Sequence, residues 1–374
     1  MTSEHEFDLI SVDDHIIEPA HLWVDRLPAK YREIGPHVEV EGDREYWVYE
    51  GRRGETMGLN AVAGKERTEY SQEPARFSDM IPGCYDPKER VKDMDRDGVR
   101  GSLSFPSYPQ FCGQKFMKGK DKVLSDLCVK AWNDFILDEW CAAGPDRFIP
   151  MIIGQLWDPE MFAEEVRRCA AKGAKAISFS ENPHLLRLPS LHSDHWDPVW
   201  RAAVETDMPI CMHIGSSSTE QHTAPDAPWS IAAALQPLNA HMAATDIMWS
   251  PITHKFPAIK FVMSEGGIGW LPFALERADW IWEKHGHWDN LSDTPPSEIF
   301  KRNIWGCFTG DRSGVEARYA IGVDKIMWES DYPHVDSSWP NSQEHVRKNM
   351  EGVPKDEVDL MTHGNAERVF NFPG

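Results

Sequence analysis

Apolar runs of four to six residues recur along the chain, separated by longer stretches where charged and apolar positions follow a helical spacing. Eight runs stand out: Leu9 to Val12, Gly101 to Phe105, Phe148 to Ile153, Lys175 to Phe179, Pro209 to Met212, Ile259 to Met263, Asn303 to Phe308 and Lys325 to Trp328. Strand-length runs alternating with helix-length stretches predict a parallel sheet with crossover helices. Eight of them in one chain predict an α/β fold, a (β/α)8 TIM barrel whose active site lies at the C-terminal ends of the strands. A doubly wound sheet is the competing architecture.

Helix signals fall where the crossovers require them. Asp86-Pro87 predicts an N-cap with proline in the first turn of a helix ending near Asp97-Gly98; Asp158-Pro159 opens another that closes at Gly173, and Asp197-Pro198 a third. Lys115 to Ala143 reads as one or two helices, and Asn341 to Met350 and Lys355 to Phe370 as closing amphipathic helices. The stretch from about 16 to 85 is too long for an ordinary loop between a strand and its helix. Glu45 to Arg52 alternates within it like a hairpin strand, which predicts an insertion over the barrel mouth acting as a lid. No repeat or low-complexity tract divides the chain, so 1–374 is taken as one domain.

Composition narrows the function. Lys and Arg number 39 against 60 Asp and Glu, a net charge of −21 without any basic run, which excludes nucleic acid and anionic membrane as expected partners. No apolar stretch is long enough to span a bilayer, and Met1 to Phe7 has neither the basic nor the apolar part of a secretory signal, so a cytoplasmic location is expected. The seven cysteines are odd in number and lack a C-x-x-C pair, which fits reduced thiols. Of sixteen tryptophans, Trp47, Trp270, Trp305, Trp328 and Trp339 lie in stretches expected near the site, suggesting an aromatic-lined pocket for a small-molecule substrate.

The candidate chemistry lies just past the strands. Ser11-Val12-Asp13-Asp14-His15 ends the first; on a strand residues i and i+2 share a side, so Asp13 and His15 project together and Asp14 points away. Asp14 and Glu18 are therefore read as supporting groups or loop caps. Glu181 follows the fourth run, His213 the fifth, Glu265 the sixth and Asp331 the eighth, with His334 three residues further on. Six metal-capable groups from five strand ends, all on the face where barrel chemistry occurs, predict a divalent metal site of Asp13, His15, Glu181, His213, Glu265 and Asp331. Ser216-Ser217-Ser218 lacks a G-x-S-x-G elbow, which argues against a serine hydrolase.

These strand-end residues, Met94 to Val99, Pro145-Asp146-Arg147-Phe148, Trp196-Asp197-Pro198, His213-Ile214-Gly215 and Ser330-Asp331-Tyr332-Pro333-His334 together resemble the amidohydrolase superfamily. The branch is the amidohydrolase-related one that includes aminocarboxymuconate semialdehyde decarboxylase, and the likeness runs over nearly the whole chain. It implies a (β/α)8 barrel, a divalent metal, a homodimer, and Asp331 as both ligand and proton shuttle, with His334 orienting it or bonding the substrate. The departures are Asp13-Asp14-His15 in place of the family's His-x-His or Glu-x-His, and Ser264-Glu265-Gly266-Gly267 where related decarboxylases carry a histidine. Glu181 sits where binuclear members place a bridging group. Four carboxylates and two imidazoles balance two divalent ions better than one, with iron or manganese favoured over zinc.

The leading expectation is accordingly a binuclear metal-dependent hydrolase of a thioester, ester, amide or activated C–C bond on a bulky apolar substrate, similar to the diiron thioester hydrolase of diterpenoid antibiotic biosynthesis. The alternative is a mononuclear non-oxidative decarboxylase of an aromatic or unsaturated acid. An inactive barrel serving as a binding protein is the third reading.

Overall fold

The computed structural model describes residues 5–288 and 293–373. Its parallel strands are β1 (Leu9–Ile16), β5 (Val99–Pro106), β6 (Phe148–Ile149), β7 (Met151–Ile152), β8 (Ala176–Ser178), β9 (Ile210–His213), β10 (Phe261–Ser264), β11 (Ile304–Phe308) and β12 (Ile326–Trp328). A separate antiparallel sheet is formed by β2 (His37–Glu41), β3 (Arg44–Tyr49) and β4 (Arg52–Gly54). Every predicted run became a strand, and the third became two, β6 and β7. Pro150 separates them because it has no N–H to donate to a ladder.

The parallel strands form two arcs, β1-β5-β6 and β7-β8-β9-β10-β11-β12, and the ladder is open at both seams among the described residues. The closed ladder of an ideal barrel is therefore not what this chain forms. At the β12/β1 seam, backbone bonds from the loop after β12 take over: Asp331 N donates to Asp13 O at 2.8 Å and His15 N to Tyr332 O at 2.6 Å.

Two apolar layers explain the arrangement. Ile10, Val12, Leu103, Met151, Cys211, Val262 and Met327 fill the interior, closed at the N-terminal end by Val369, Phe370 and Phe372. Leu9, Ile16, Ile152, Ile177, Ile210 and Phe261 face the surrounding helices. The helix Pro87–Asp97 starts as predicted, with Asp86 accepting from Lys88 N and Glu89 N, and stops at Gly98 with φ 73°, a conformation glycine adopts without penalty. Asp158 caps Pro159–Ala170 in the same way. Asp197 instead is the first residue of its helix, Asp197–Glu205, and caps nothing.

Residues between β1 and the helix at Pro87 carry the β2-β3-β4 sheet and short helical turns. Trp47, Glu55, Met57, Leu59 and Asn60 of this insertion wall a cavity at the C-terminal ends of the parallel strands. All seven cysteines are unpaired and buried. No helix among the described residues is long and apolar enough to cross a membrane.

Candidate active site

The site begins with an irregularity in β1. Ser11 pairs with Ser102 and Asp14 with Ser104, so β1 advances three residues while β5 advances two. The extra residue reverses the alternation: Ile10 and Val12 point into the interior, and so do Asp13 and His15 after the bulge. Ser11 and Asp14 end on the opposite side, where Asp14 accepts from Ser11 Oγ at 2.9 Å, from Tyr332 N at 3.1 Å and from Ser102 Oγ. Asp14 thus ties β1 to β5 and to the loop after β12.

Nε2 of His15 is the centre of two overlapping triads, Asp13–His15–His213 and His15–Asp331–His334. It lies 3.2 Å from His213 Nε2, 3.5 Å from Asp13 Oδ1 and 3.3 Å from Asp331 Oδ1. Asp13 Oδ2 is 3.4 Å and Glu265 Oε2 3.2 Å from His213 Nε2. His213 Nδ1 faces Ile214 O, which assigns its proton there and leaves Nε2 a bare lone pair aimed at the cluster. Glu265 and Asp331 take left-handed backbone angles, φ 56° and φ 60°, which non-glycine residues rarely adopt, to turn their carboxylates inward from the ends of β10 and β12.

Charge makes this arrangement costly as it stands. Asp13, Asp331 and His15 are buried, and both carboxylate oxygens of Asp13 and of Asp331 lack a hydrogen-bond donor. Burial and then Glu329, Asp331, Glu265 and Asp14 push Asp13 far above the usual carboxylate range. Burial, Asp331 and Asp336 do the same to Glu265. Burial pulls His15 well down and His213 to about 4, so both imidazoles are neutral near pH 7. Asp331 runs the other way: burial would raise it, but His334 and His15 hold it ionised. Orphaned carboxylates, neutral imidazoles and donor spacings of 3.2 to 3.5 Å suit one divalent cation, since bonds of about 2.1 Å put neighbouring donors roughly 3 Å apart.

Glu181 does not join the triads. Its Oε1 accepts from Gly215 N (3.0 Å), Ser217 N (3.2 Å), Ser217 Oγ (2.7 Å) and Asn239 Nδ2 (3.2 Å), so it fastens the loop after β9. Glu18 is a loop cap, accepting from Ser107 N, Tyr108 N and Trp132 Nε1. His334 stacks on His15 with ring centroids 3.6 Å apart and places Nδ1 3.2 Å from Asp331 Oδ1.

Above the cluster opens a cavity of about 820 Å³. Its walls include Trp47, Tyr108, Phe111, Lys115, Trp229, Asp331 and His334. Only Trp47 of the five tryptophans expected near the site reaches it. Trp305 is the second residue of β11 and lies at the other end, beneath Lys325, while Trp339 packs on Tyr332. Sequence reasoning missed Phe111, stacked 4.1 Å from His213, and Arg90, which donates to His15 O at 2.6 Å. It also passed over Glu329, although a carboxylate immediately after a strand, two residues before Asp331, was a signal to be had.

Residues 20–372 match the amidohydrolase family. The chain belongs to it. Among this amidohydrolase's curated relatives is the gamma-resorcylate decarboxylase of Polaromonas sp. (strain JS666), 24% identical over 305 residues, covering 76% of this chain and 86% of the relative. An amidohydrolase from Mycobacterium avium subsp. paratuberculosis K-10 has the same fold, with a TM-score of 0.74 and 21% identity over 98% of this chain and 99% of the other. So does the 5-carboxyvanillate decarboxylase of Novosphingobium aromaticivorans, solved with manganese and a nitrobenzoic acid, at a TM-score of 0.70 and 18% identity over 99% of each chain.

These findings correct the leading expectation of a hydrolase: the relatives with a named chemistry are decarboxylases. Nothing in them supports a thioester hydrolase, a second ion or iron. The two-ion expectation rested on Glu181 as a bridge; its Oε1 is filled by four donors, while its Oε2 is buried without one.

Proposed function

We propose that this amidohydrolase is a metal-dependent non-oxidative decarboxylase of a hydroxylated aromatic acid. The observation that carries the reading is the buried set of undonated carboxylate oxygens and imidazole Nε2 atoms around His15 on the floor of an aromatic-walled cavity. The names of the decarboxylase relatives, and the manganese in one of the similar structures, point the same way. A binding barrel without catalysis would have no use for these mutually repelling buried carboxylates.

Asp13, His15, His213 and Asp331 would hold the cation, with Glu265 beside it in place of the histidine of related decarboxylases. Manganese or a similar divalent ion bound there would draw electron density from the substrate's carboxylate and hydroxyl oxygens. Phe111 and Tyr108 line the cavity beside the cluster, where the aromatic ring would lie. His334 Nδ1 lies 3.2 Å from Asp331 Oδ1 and both line the cavity, so the pair can relay a proton from solvent to the ring carbon bearing the carboxylate, with Asp331 ionised between turnovers. That carbon takes the proton, its bond to the carboxylate breaks, the electron pair stays in the ring and carbon dioxide leaves.

The test is to load the protein with Mn²⁺ and follow carbon dioxide release from 2,6-dihydroxybenzoate, 5-carboxyvanillate and other hydroxybenzoates. Release that disappears in His213→Ala and Asp331→Asn is expected. Manganese-loaded protein that decarboxylates none of the panel would overturn the reading.

A further inference from the structure

Beside the active-site cavity lies a smaller one, about 230 Å³, whose walls include Arg52, Arg53, Lys115 and Lys118 with Tyr108 and one carboxylate, Glu50. Tyr108, Gln110 and Lys115 line both cavities, so the two adjoin across that wall. Four cations around one small space are unexpected in a chain of net charge −21. The active-site cavity itself is lined by Glu18, Glu55, Glu220, Glu265, Asp331 and Asp336, and among the described residues Lys115 is its one lysine or arginine.

The carboxylates nearest the annex are committed elsewhere. Glu50 spends both oxygens on the backbone N–H groups of Lys120 and Asp121. Glu39 and Glu41 pair with Arg53. Arg52, Lys115 and Lys118 form no ion pair within 4 Å among the described residues. Lys115 Nζ instead lies 3.6 Å from the centre of the Tyr108 ring, between the two spaces. Burial draws this ammonium down to about 8; Glu18 in the active-site cavity raises it and the neighbouring Lys118 lowers it, so on the annex side Lys115 meets another cation and no carboxylate within ion-pair distance. Such a cluster is stabilised by an anion that reaches it.

We propose that the annex is a subsite for a second anionic group of the substrate, so that the enzyme acts on dianionic aromatic acids. Resting on the decarboxylase reading, the proposal puts the reacting carboxylate at the His15 cluster and a further carboxylate, sulfonate or phosphate past Tyr108, against Lys115, Arg52 and Lys118. The aromatic ring spans the wall between them. The enzyme's selectivity then comes from insertion residues of β4 and from the loop after β5, not from the metal ligands.

The experiment measures dissociation constants of the manganese-loaded protein by tryptophan fluorescence quenching for salicylate, 4-hydroxyisophthalate and 5-sulfosalicylate. It is run on the wild type and on Arg52→Gln/Lys118→Gln, whose side chains are exposed, so folding is not at stake. Binding is read whether or not the acids are decarboxylated. The dianions are expected to bind about tenfold tighter than salicylate in the wild type, the effect of one charge-assisted contact, with that ratio falling toward one in the double variant. A wild-type ratio near one, or a ratio the substitutions leave intact, overturns the subsite. A wild-type dianion preference that the double variant loses, with no carbon dioxide release from any of the acids, would overturn the decarboxylase reading and leave the anion subsite standing.

Discussion

Arg90 holds the active site together from behind, and its removal gives the sharpest prediction. The guanidinium is 1% exposed, donates through Nε to Gly83 O at 2.8 Å and through Nη2 to His15 O at 2.6 Å, and lies 4.1 Å over the Tyr332 ring. It therefore fixes the residue at the centre of both triads and the residue next to Asp331. Arg90→Met keeps the apolar stem and deletes the charge. Each lost bond from a charged donor is worth about 1.5–3 kcal/mol, partly offset because the cation no longer has to be buried. Asp14, which burial raises to about 7 and Arg90 lowers, loses its nearest cation. The net cost is about 3–5 kcal/mol, that of removing one partner from a buried charged arrangement. An unfolding entropy of about 2.1 cal/mol/K per residue gives ~0.8 kcal/mol/K for this chain, so the Tm should fall by ~4–6 °C in calorimetry. Because His15 loses its backbone anchor, manganese affinity should also drop by roughly 10- to 100-fold. A Tm within about 1 °C of the wild type would refute the energetic argument. Full destabilisation with unchanged manganese affinity would refute the positioning argument.

Three further outcomes are expected. Burial raises Glu18 and Glu181 to about 7 and Asp97 to about 6, against ~4 in the unfolded chain, so between those values the folded state binds more protons. The metal-free protein should thus lose stability as pH rises from about 4 to about 7; urea titrations with chelator at about pH 5 and 7.5 check this, and a slope of the opposite sign counts against it. Glu181→Gln should leave the manganese content at one ion per chain by elemental analysis, while Asp13→Asn should empty the site; a Glu181 variant that loses metal would return that residue to the ligand set. Gly58→Ala would place a Cβ 2.4 Å from Ser71 O and 2.6 Å from Glu73 O, forcing the insertion open. Faster limited proteolysis between residues 57 and 75 and a raised KM should follow, since Met57 and Leu59 line the cavity.

The strands were legible because each is a short apolar run bounded by helix caps, and the two-layer core needs just that pattern. The site was legible as far as it consists of single groups just past strands, which is how Asp13, His15, His213, Glu265 and Asp331 could be placed in one neighbourhood. Strict alternation gave the right pairing of Asp13 with His15 but not their direction. It would set Asp13 opposite Ile10 and Val12, and only the extra residue in β1 turns all four inward. The role of Glu181 was hidden for a different reason: its four donors come from the loop after β9 and from the helix Pro237–Trp249, contacts no local pattern encodes. Lys115 carried no signal either, because nothing around it distinguishes a cavity wall from the polar face of a helix.

The two open seams divide the donor set as well as the sheet. Asp13 and His15 ride on the arc β1-β5-β6, whereas His213, Glu265 and Asp331 ride on the arc that ends in β12. Neither half carries the full donor set, so a cation bound there would add a tie across the seam that the Asp331 N–Asp13 O and His15 N–Tyr332 O bonds already cross. Such a cation would then tie the two arcs together as well as serve the chemistry, and its removal would loosen the seam as well as the site.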